Sequence, residues 1–327
     1  MSNFSHKTPQ TGEFERISKI REKTDRDSAF VRLGNGDDSA VLQQLSFPVV
    51  SVDTQVEEVH FRSRWLTDAM LGRRAVVAAA SDLFAMGAAP RALLVSLILP
   101  EQIDDDRLVQ LAEGLAKGAD DVGASIVGGN LSCGKQFSIT TTVMGDLLDP
   151  KKIGGRHGAA PNDGVYITFV PGEAALGLAF LLAETEPTCV SLAQPFMDRW
   201  RTPPVQREES AAVLPFAGAM IDVSDGLVQD LNHILKASEV TAELEVAKFP
   251  TSNDFKAACA SLGSNPLELM LHGGETYGLL FTSTQSPPIG TRIGTITQGV
   301  PSTLILPSGH RHPLPTEAGH DHFKQRD

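Results

Sequence analysis

The sequence predicts a two-domain protein, with an α+β first half and an α/β second half. Its 327 residues exceed the length of one ordinary domain. Strand patterns alternate with single helical patterns in both halves. Between the halves lies a basic, glycine-rich stretch, PKKIGGRHGAAP at 150–161, whose composition is typical of a domain boundary. The predicted domains are residues 1–150 and 151–327.

The first half begins its regular structure with an apolar, β-branched run at 49–54, which predicts a buried strand. An alanine-rich stretch predicts a helix over 67–86 that ends at Gly87, and apolar residues at helical spacing predict another helix over 104–122. The last two strand patterns are close enough to pair antiparallel, and the first of them runs into a turn at Gly128 and Gly129. The further predicted strands of this half are 91–99, 125–127 and 137–144.

The second half restarts the alternation of strands and helices after the boundary. Its predicted strands are 164–169, 220–223, 276–282 and 291–297, and its predicted helices are 173–182 and 226–237. Both chain ends, residues 1–12 and those from about Pro307, are polar or rich in Pro, His and Gly, which predicts loose structure.

Composition excludes several classes of protein. A formal net charge of -12 and a pI near 5.2 argue against a nucleic-acid partner, so a phosphate ligand would need a metal ion. The 3 cysteines are far apart without a CxxC pair, which predicts neither a zinc site nor disulfides and suits a reducing cytoplasm. The sequence has no apolar run of about 18 residues and no apolar stretch in MSNFSHKTPQ, so we expect no membrane segment.

Four short acidic segments place carboxylates beside glycine or at predicted strand ends: GDD at 36–38, VDT at 52–54, SD at 81–82 and DVSDG at 222–226. Carboxylates in such positions can converge on Mg²⁺, which takes oxygen ligands and bridges proteins to phosphates. Each segment alone is more typical of an ordinary turn or helix cap than of a metal site. Asp82 is different, because aspartate is a poor residue inside an apolar helix and needs a partner there.

Longer motifs resemble those of the thiamine-monophosphate kinase family. They are GDDSAV at 36–41, DTQVEEVHF at 53–61, SDLFAMGAAPRALLVSLILP at 81–100, DVSDGLVQDL at 222–231 and GGETYGLLFT at 273–282. GEF at 12–14, RHGAAPND at 156–163 and HDHF at 320–323 extend the similarity over nearly the whole chain. The resemblance implies the two-domain fold of aminoimidazole ribonucleotide synthetase, with N-terminal domains that form a homodimer and line the ATP cleft.

The resemblance also implies a reaction and a set of residues. The γ-phosphoryl group of ATP would pass in line to thiamine monophosphate, in a cytoplasmic transferase of thiamine biosynthesis. The acceptor oxygen is already anionic, so no catalytic base is needed. The implied magnesium ligands are Asp38, Ser51, Asp53, Asp82, Asp222 and Asp225. The implied nucleotide contacts are Gly129, Asn130, Arg156 and Ser224, and the implied substrate contacts are His60, Glu275 and His320.

The chain departs from the family pattern at the site motifs. Asn130 stands where GGDTT has a magnesium-binding aspartate, and His320 stands where an aromatic residue packs on thiamine. Thr276 and Gly278 replace the Asp and Glu of GGEDYELLFT. Phe84 and Phe169 add bulk where the family has Ala and Gly.

These departures leave three hypotheses open. The first is an active thiamine-monophosphate kinase with an altered metal shell, supported by the retained acidic positions. The second is a related small-molecule kinase or ATP-dependent synthetase with another acceptor, supported by Thr276, Gly278 and His320. The third is a nucleotide-binding protein without turnover, supported by Asn130. In a similar way, His60 can be an ordinary strand-end histidine and Arg156 a surface or capping residue.

Overall fold

A computed structural model describes residues 12–36, 38–183 and 190–315. The chain divides into two compact units, one formed by Met1–Ala80 with Pro90–Gly145 and the other by Ser81–Ala89 with Asp146–Asp327. The last turn of the helix that contains Asp82 therefore groups with the second unit. None of the helices in the described ranges has the length and hydropathy needed to cross a bilayer.

The first unit contains a four-stranded sheet with helices beside it. Its elements are α1 (Glu13–Thr24), β1 (Val31–Leu33), β2 (Val41–Leu42), β3 (Pro48–Val56), α2 (Asp68–Ala85), β4 (Ala88–Leu99), α3 (Asp105–Val122), β5 (Ser125–Cys133) and β6 (Ser138–Leu147). Of these, α2, β4 and β6 extend into the second unit. The sheet order is β3-β6-β4-β5, and β1 pairs with β2 in a separate small ladder.

Strand order in this sheet contradicts the predicted antiparallel pairing of the last two strands. β5 pairs in parallel with β4, from Ala92 opposite Ser125 to Leu99 opposite Cys133. The crossover through α3 makes β4 and β5 neighbours, as expected of a strand-helix-strand unit. β6 instead lies between β3 and β4, so proximity in sequence did not decide its partner.

Local sequence signals set the bounds of α3. Its N-cap is Asp104, whose carboxylate accepts from the Arg107 backbone N–H, and its C-cap is Gly123 in the left-handed conformation (φ 77°). The polar helix α1, which the sequence analysis did not predict, lies against α3. Its contacts include ion pairs of Lys19 with Asp105 at 2.6 Å and Lys23 with Glu113 at 2.8 Å.

The second unit is built on a seven-stranded sheet of order β13-β12-β9-β11-β7-β10-β8. Its strands are β7 (Gly164–Ile167), β8 (Met220–Val223), β9 (Thr241–Glu245), β10 (Gly278–Ser283), β11 (Thr291–Thr297), β12 (Thr303–Ile305) and β13 (Arg311–Pro313). Its helices are α4 (Glu173–Ala183), α5 (Val190–Arg201), α6 (Arg207–Val213), α7 (Leu227–Ser238), α8 (Asn253–Leu262) and α9 (Pro266–His272).

Alternate strand residues of this unit enter different clusters. Val165 and Ile167 pack with residues of α4, α5, α7, α8 and α9 in the larger core cluster. Tyr166, between them, packs with Val213 and Leu214 at the end of α6 in a second cluster. Alternate side chains of the strand thus pack on opposite faces of the sheet, and both faces are covered. The sheet's β8 edge is the one that carries Asp222.

Candidate active site

The second unit holds an acidic cluster, which consists of Asp222 at the end of β8, Asp225 in the turn that follows, and Asp82 on α2. Asp222 is buried, and Asp82 and Asp225 are half-buried. β8 delivers Asp222 to a position that is 8% exposed. Ser81 Oγ donates a hydrogen bond of 2.6 Å to Asp222 Oδ2. Asp82 is close enough to influence the titration of Asp222. The expectation that Asp82 needs a partner and its role as a metal ligand both stay predictions.

Burial dominates the electrostatics of this cluster. Loss of hydration, followed by the charge of Asp82, raises the pKa of Asp222 to about 7. The hydrogen bond from Ser81 and the charge of Arg156 act in the opposite direction. The cluster therefore holds more negative charge than its own surroundings neutralise, which is the setting that a bound cation stabilises.

A further carboxylate, Asp230, was not among the predicted site residues. It is 3% exposed in the first turn of α7, and its Oδ2 accepts from the backbone N–H groups of Ser224, Asp225 and Gly226, each at 3.2 Å. Burial, and then the charges of Asp222 and Asp225, raise the pKa of Asp230 to about 7. An acidic residue reaching back to the amides before a helix is the signal that could have indicated it.

The segment Glu275–Tyr277 runs beside this turn in an uncommon backbone conformation. Glu275 (φ 64°) and Tyr277 (φ 52°) both have positive φ. Their N–H groups donate to the carbonyls of Ser224 at 2.7 Å and Val223 at 2.8 Å. Left-handed residues other than glycine persist where surrounding structure holds them, often at functional sites. Thr276, between them, is 5% exposed, and its hydroxyl has no hydrogen-bond partner within the described ranges.

Arg156 lies in the basic linker and acts on the same region. Its charge lowers the pKa of Asp222. Burial, followed by the charge of Arg156, also lowers the pKa of His233 on α7. The Arg156 carbonyl accepts a hydrogen bond of 3.0 Å from Ser238 Oγ. The linker is thereby attached to the end of α7, with the guanidinium near the acidic cluster.

In the first unit, Asp38, Gly129 and Asn130 line one cavity of about 940 Å³ beside α1 and the sheet. Asp38 and Asn130 are exposed, and Asn130 Nδ2 donates to Ser132 Oγ at 2.9 Å. The turn predicted at Gly128 and Gly129 is wrong, since both residues and Asn130 lie within β5.

Gly129 is in the strand because β5 approaches β4 very closely there. A Cβ built on Gly129 would lie 1.9 Å from the Val95 carbonyl oxygen, so only glycine can occupy the position without movement of the backbone. The ladder shifts register between Leu93 and Leu94, which accompanies this approach.

The other predicted residues of the first unit lie outside the lining of that cavity. Asp53 on β3 accepts from the Thr54 backbone N–H at 2.7 Å and from Gln55 Nε2 at 3.0 Å, and Ser51 lies on the same strand face by alternation. His60 Nδ1 accepts from the Val56 N–H at 3.0 Å, which agrees with the alternative of an ordinary strand-end histidine. His320 lies outside the described residues.

The donors in the second unit are compatible with Mg²⁺. Within the described residues no group of three or more His, Cys, Asp and Glu side chains is arranged to hold a metal ion. Magnesium commonly takes only one or two protein carboxylates and completes its shell with waters and substrate phosphates. Asp82 and Asp222, two neighbouring carboxylates, meet that requirement.

Comparisons with known proteins first define a class. Residues 36–147 match the family described as "AIR synthase related protein, N-terminal domain". AaThiL complexed with AMPPCP and TMP is similar in structure, with a TM-score of 0.73, 30% identity, and coverage of 94% of this chain and 96% of that one. Thiamine-monophosphate kinase from Stenotrophomonas maltophilia K279a has a TM-score of 0.77 at 28% identity, with coverage of 90% and 96%. The chain thus has the AIR synthase-like fold that its motifs predicted.

Sequence relatives define the family within this class. Thiamine-monophosphate kinase of Aquifex aeolicus (strain VF5) is 32% identical over 289 residues, which cover 85% of this chain and 92% of the relative. The chain therefore belongs to the thiamine-monophosphate kinase family, a family of kinases.

Proposed function

We propose that the protein transfers the γ-phosphoryl group of ATP to thiamine monophosphate and forms thiamine diphosphate. The observation that carries this proposal is the 32% identity to a relative named for that reaction over 85% of the chain. The complex of AaThiL with AMPPCP and TMP, at 30% identity, supports the same pair of ligands. We assign the reaction to the cytoplasm, where ATP is available.

The chain's own residues would act by position and charge. Ser224, Asp225 and Gly226 each donate one backbone hydrogen bond to Asp230, so the turn after β8 is fixed before a ligand binds. Arg156, near the same turn, would contact a phosphate of the nucleotide. An anionic acceptor oxygen needs no deprotonation, and placement of donor and acceptor in line then contributes most of the rate.

Asp82, Asp222 and Asp225 would hold magnesium in the second unit, and Asp38, Ser51 and Asp53 would hold it in the first. Bound magnesium would neutralise phosphate charge. Asn130 would contribute a neutral oxygen, and Glu275, His60 and His320 would contact the acceptor.

We also propose a homodimer formed through the sheet of the first unit. One face of this sheet exposes apolar side chains, with Val50 at 62% and Val52 at 59% exposure, and Leu94 and Ile98 lie exposed on β4. Apolar strands left uncovered are typical of an interface. Val52→Asp should convert a dimer to a monomer in light scattering, with Val300→Asp, a change at another exposed valine, as the control. A monomeric parent protein at micromolar concentration would contradict the dimer.

The decisive experiment is an assay of ADP release with ATP, excess Mg²⁺ and thiamine monophosphate. We expect ADP to form only when thiamine monophosphate is present, with thiamine diphosphate in equal amount by chromatography. ATP binding without ADP formation would contradict the proposal.

A related kinase with another phosphorylated acceptor is the second candidate. The observation that favours it is that Thr276 and Gly278, which follow Glu275 closely, replace the Asp and Glu of the family motif. Release of ADP with a different phosphorylated acceptor, and none with thiamine monophosphate, would support it.

A further inference from the structure

Two departures from the family pattern, Phe169 and Gly278, face each other in the structure. β7 and β10 are antiparallel, with Leu280 opposite Ile167. Continued by two residues, this register puts Gly278 opposite Phe169. On its other side Gly278 pairs with Val223, the residue between Asp222 and Ser224. Phe169 is therefore one strand away from the turn that carries the acidic cluster.

The space at this pair admits only one side chain. A Cβ built on Gly278 would lie 2.5 Å from Phe169 Cδ1, 2.8 Å from Phe169 Cγ and 2.8 Å from Phe169 Cβ. Rotation of the ring could move Cδ1 but not Cβ, and opposite Cβ atoms in a normal antiparallel pair are about 4.5–5.5 Å apart. Even alanine at 169 would therefore conflict with a side chain at 278.

The backbone next to the pair is fixed. The Thr168 N–H donates to the Leu279 carbonyl at 3.0 Å, and the Leu279 N–H donates to Thr168 Oγ1 at 2.9 Å. Thr168 Oγ1 in turn donates to Gln206 Oε1 at 2.6 Å. These hydrogen bonds hold residues 168 and 279 together, so the neighbouring residues cannot easily separate.

Phe169 is half-buried, and one part of its ring packs against the larger core cluster. The side chain is partly accessible, and Gly278, which it faces, directly follows the segment Glu275–Tyr277. An accessible aromatic face next to a polar turn can contact a ligand by stacking or by apolar packing.

We propose that Phe169 is a specificity-determining residue for the acceptor. Its side chain occupies the volume that a side chain at position 278, three residues after Glu275, would need, so an aromatic side chain takes the place of a carboxylate there. This inference rests on the proposed function, because it places the phosphorylated acceptor on that side of the cluster.

The test compares four variants with the parent: Phe169→Gly, Gly278→Glu, Phe169→Gly with Gly278→Glu, and Phe169→Ala with Gly278→Glu. The last is the matched control, since alanine retains the Cβ that conflicts with position 278. We expect Gly278→Glu alone to lower Tm by about 4 °C or more, as overpacking does. Phe169→Gly should restore at least half of that loss, and Phe169→Ala should not. If Gly278→Glu lowers Tm equally in the parent, in Phe169→Gly and in Phe169→Ala, the two side chains do not exclude each other and the inference is overturned.

Kinetics test the acceptor role separately from packing. In the Phe169→Gly, Gly278→Glu protein, the added carboxylate should lower the KM for thiamine monophosphate, which carries a cationic ring, by about tenfold. The KM for ATP should stay close to that of the parent. An unchanged KM for thiamine monophosphate, or an equal change for ATP, would overturn the proposal.

A parent protein without turnover of thiamine monophosphate would contradict the proposed function and not, by itself, the role of Phe169. In that case turnover gained by the Phe169→Gly, Gly278→Glu protein would support Phe169 as the residue that excludes this acceptor. Continued absence of turnover in that stable double variant would overturn the role.

Discussion

The end of β8 and the middle of β5 carry site residues in different physical settings. At the β8 site, Asp222 is 8% exposed and Asp230 is 3% exposed, and the turn between them is held by three hydrogen bonds to one carboxylate oxygen. At the β5 site, Asn130 is exposed and its amide bonds to Ser132 two residues away. The fold therefore fixes the β8 site before any ligand binds, whereas the β5 site is fixed mainly through its backbone, at Gly129.

This difference separates stability from function. Burial of charge at the β8 end is unfavourable for folding, because a carboxylate loses its hydration there. Retention of such a cluster indicates a use other than stability. The exposed Asn130 at the β5 site has no comparable cost of lost hydration, and changes of its side chain should have smaller effects on folding.

The largest expected effect is that of Asp222→Asn. It should lower turnover by about 10²–10³, the range for removal of one preorganised electrostatic group. Its Tm in the absence of metal should equal or exceed that of the parent, because the amide oxygen still accepts from Ser81 and position 222 no longer carries a buried charge. Thermal unfolding and the ADP-release assay measure the two quantities.

Asp254→Asn is the control for that change, since Asp254 is exposed in the first turn of α8. It should leave turnover near the parental value. Retention of parental turnover by Asp222→Asn would mean that the buried cluster does not take part in the reaction.

Asp230→Ala should cause the next largest effect. It leaves the amides of Ser224, Asp225 and Gly226 without their acceptor, at a cost of about 1–3 kcal/mol for buried groups. Tm should fall by about 5 °C and turnover should fall with it. Asp230→Asn keeps one acceptor oxygen and should lose less of both. Equal losses in the two variants would show that the hydrogen bonds to these amides are not the important contribution.

At the β5 site, Gly129→Ala tests whether the close backbone approach to Val95 fixes the strand. The added methyl group should cost about 1–3 kcal/mol, since the strands must separate. Gly155→Ala is the matched control, because a Cβ there meets nothing within 4 Å. Urea unfolding should distinguish the two variants, and similar midpoints would contradict the close approach at Gly129.

Local signals explain which elements the sequence predicted. The helix predicted at 104–122 is α3, Asp105–Val122, because Asp104 and Gly123 define its ends. The strand predicted at 220–223 is β8, because a short apolar run before SDG has few alternatives. Helix α1 was missed, since its contacts with α3 include ion pairs formed by residues distant in sequence.

The site was less predictable than the fold for the same reason. Asp222 and Asp82 were predicted as metal ligands from motifs, but Asp230 accepts from three amides that become its neighbours only in the folded turn. Phe169 and Gly278 were recognised as separate departures, and only the register of β7 and β10 shows that they compete for one space. Pairing of distant strands decides such relations, and no short motif encodes it.

The smallest expected effect is that of Asn130→Asp at the exposed β5 site. A carboxylate at this place should strengthen Mg²⁺-dependent ATP binding by about tenfold, or about 1.4 kcal/mol. The expected gain is moderate because solvent screens an exposed charge. The Ser132 hydroxyl, which now accepts from the Asn130 amide, can donate to the new carboxylate and preserve the local contact. Titration calorimetry with AMPPCP, with and without Mg²⁺, measures the change.

Asn253→Asp, the same substitution at an exposed residue of α8, is the control and should leave ATP affinity unchanged. If Asn130→Asp also raises turnover on thiamine monophosphate, the missing carboxylate limits an otherwise competent kinase. Tighter ATP binding with no turnover would mean that the residues around the acceptor, Thr276 and Phe169, limit the reaction. Unchanged or weaker Mg²⁺-dependent binding would mean that residue 130 does not face the metal. The contrast between the β8 site and the β5 site would then be larger than proposed, because only the β8 site would contact the cation.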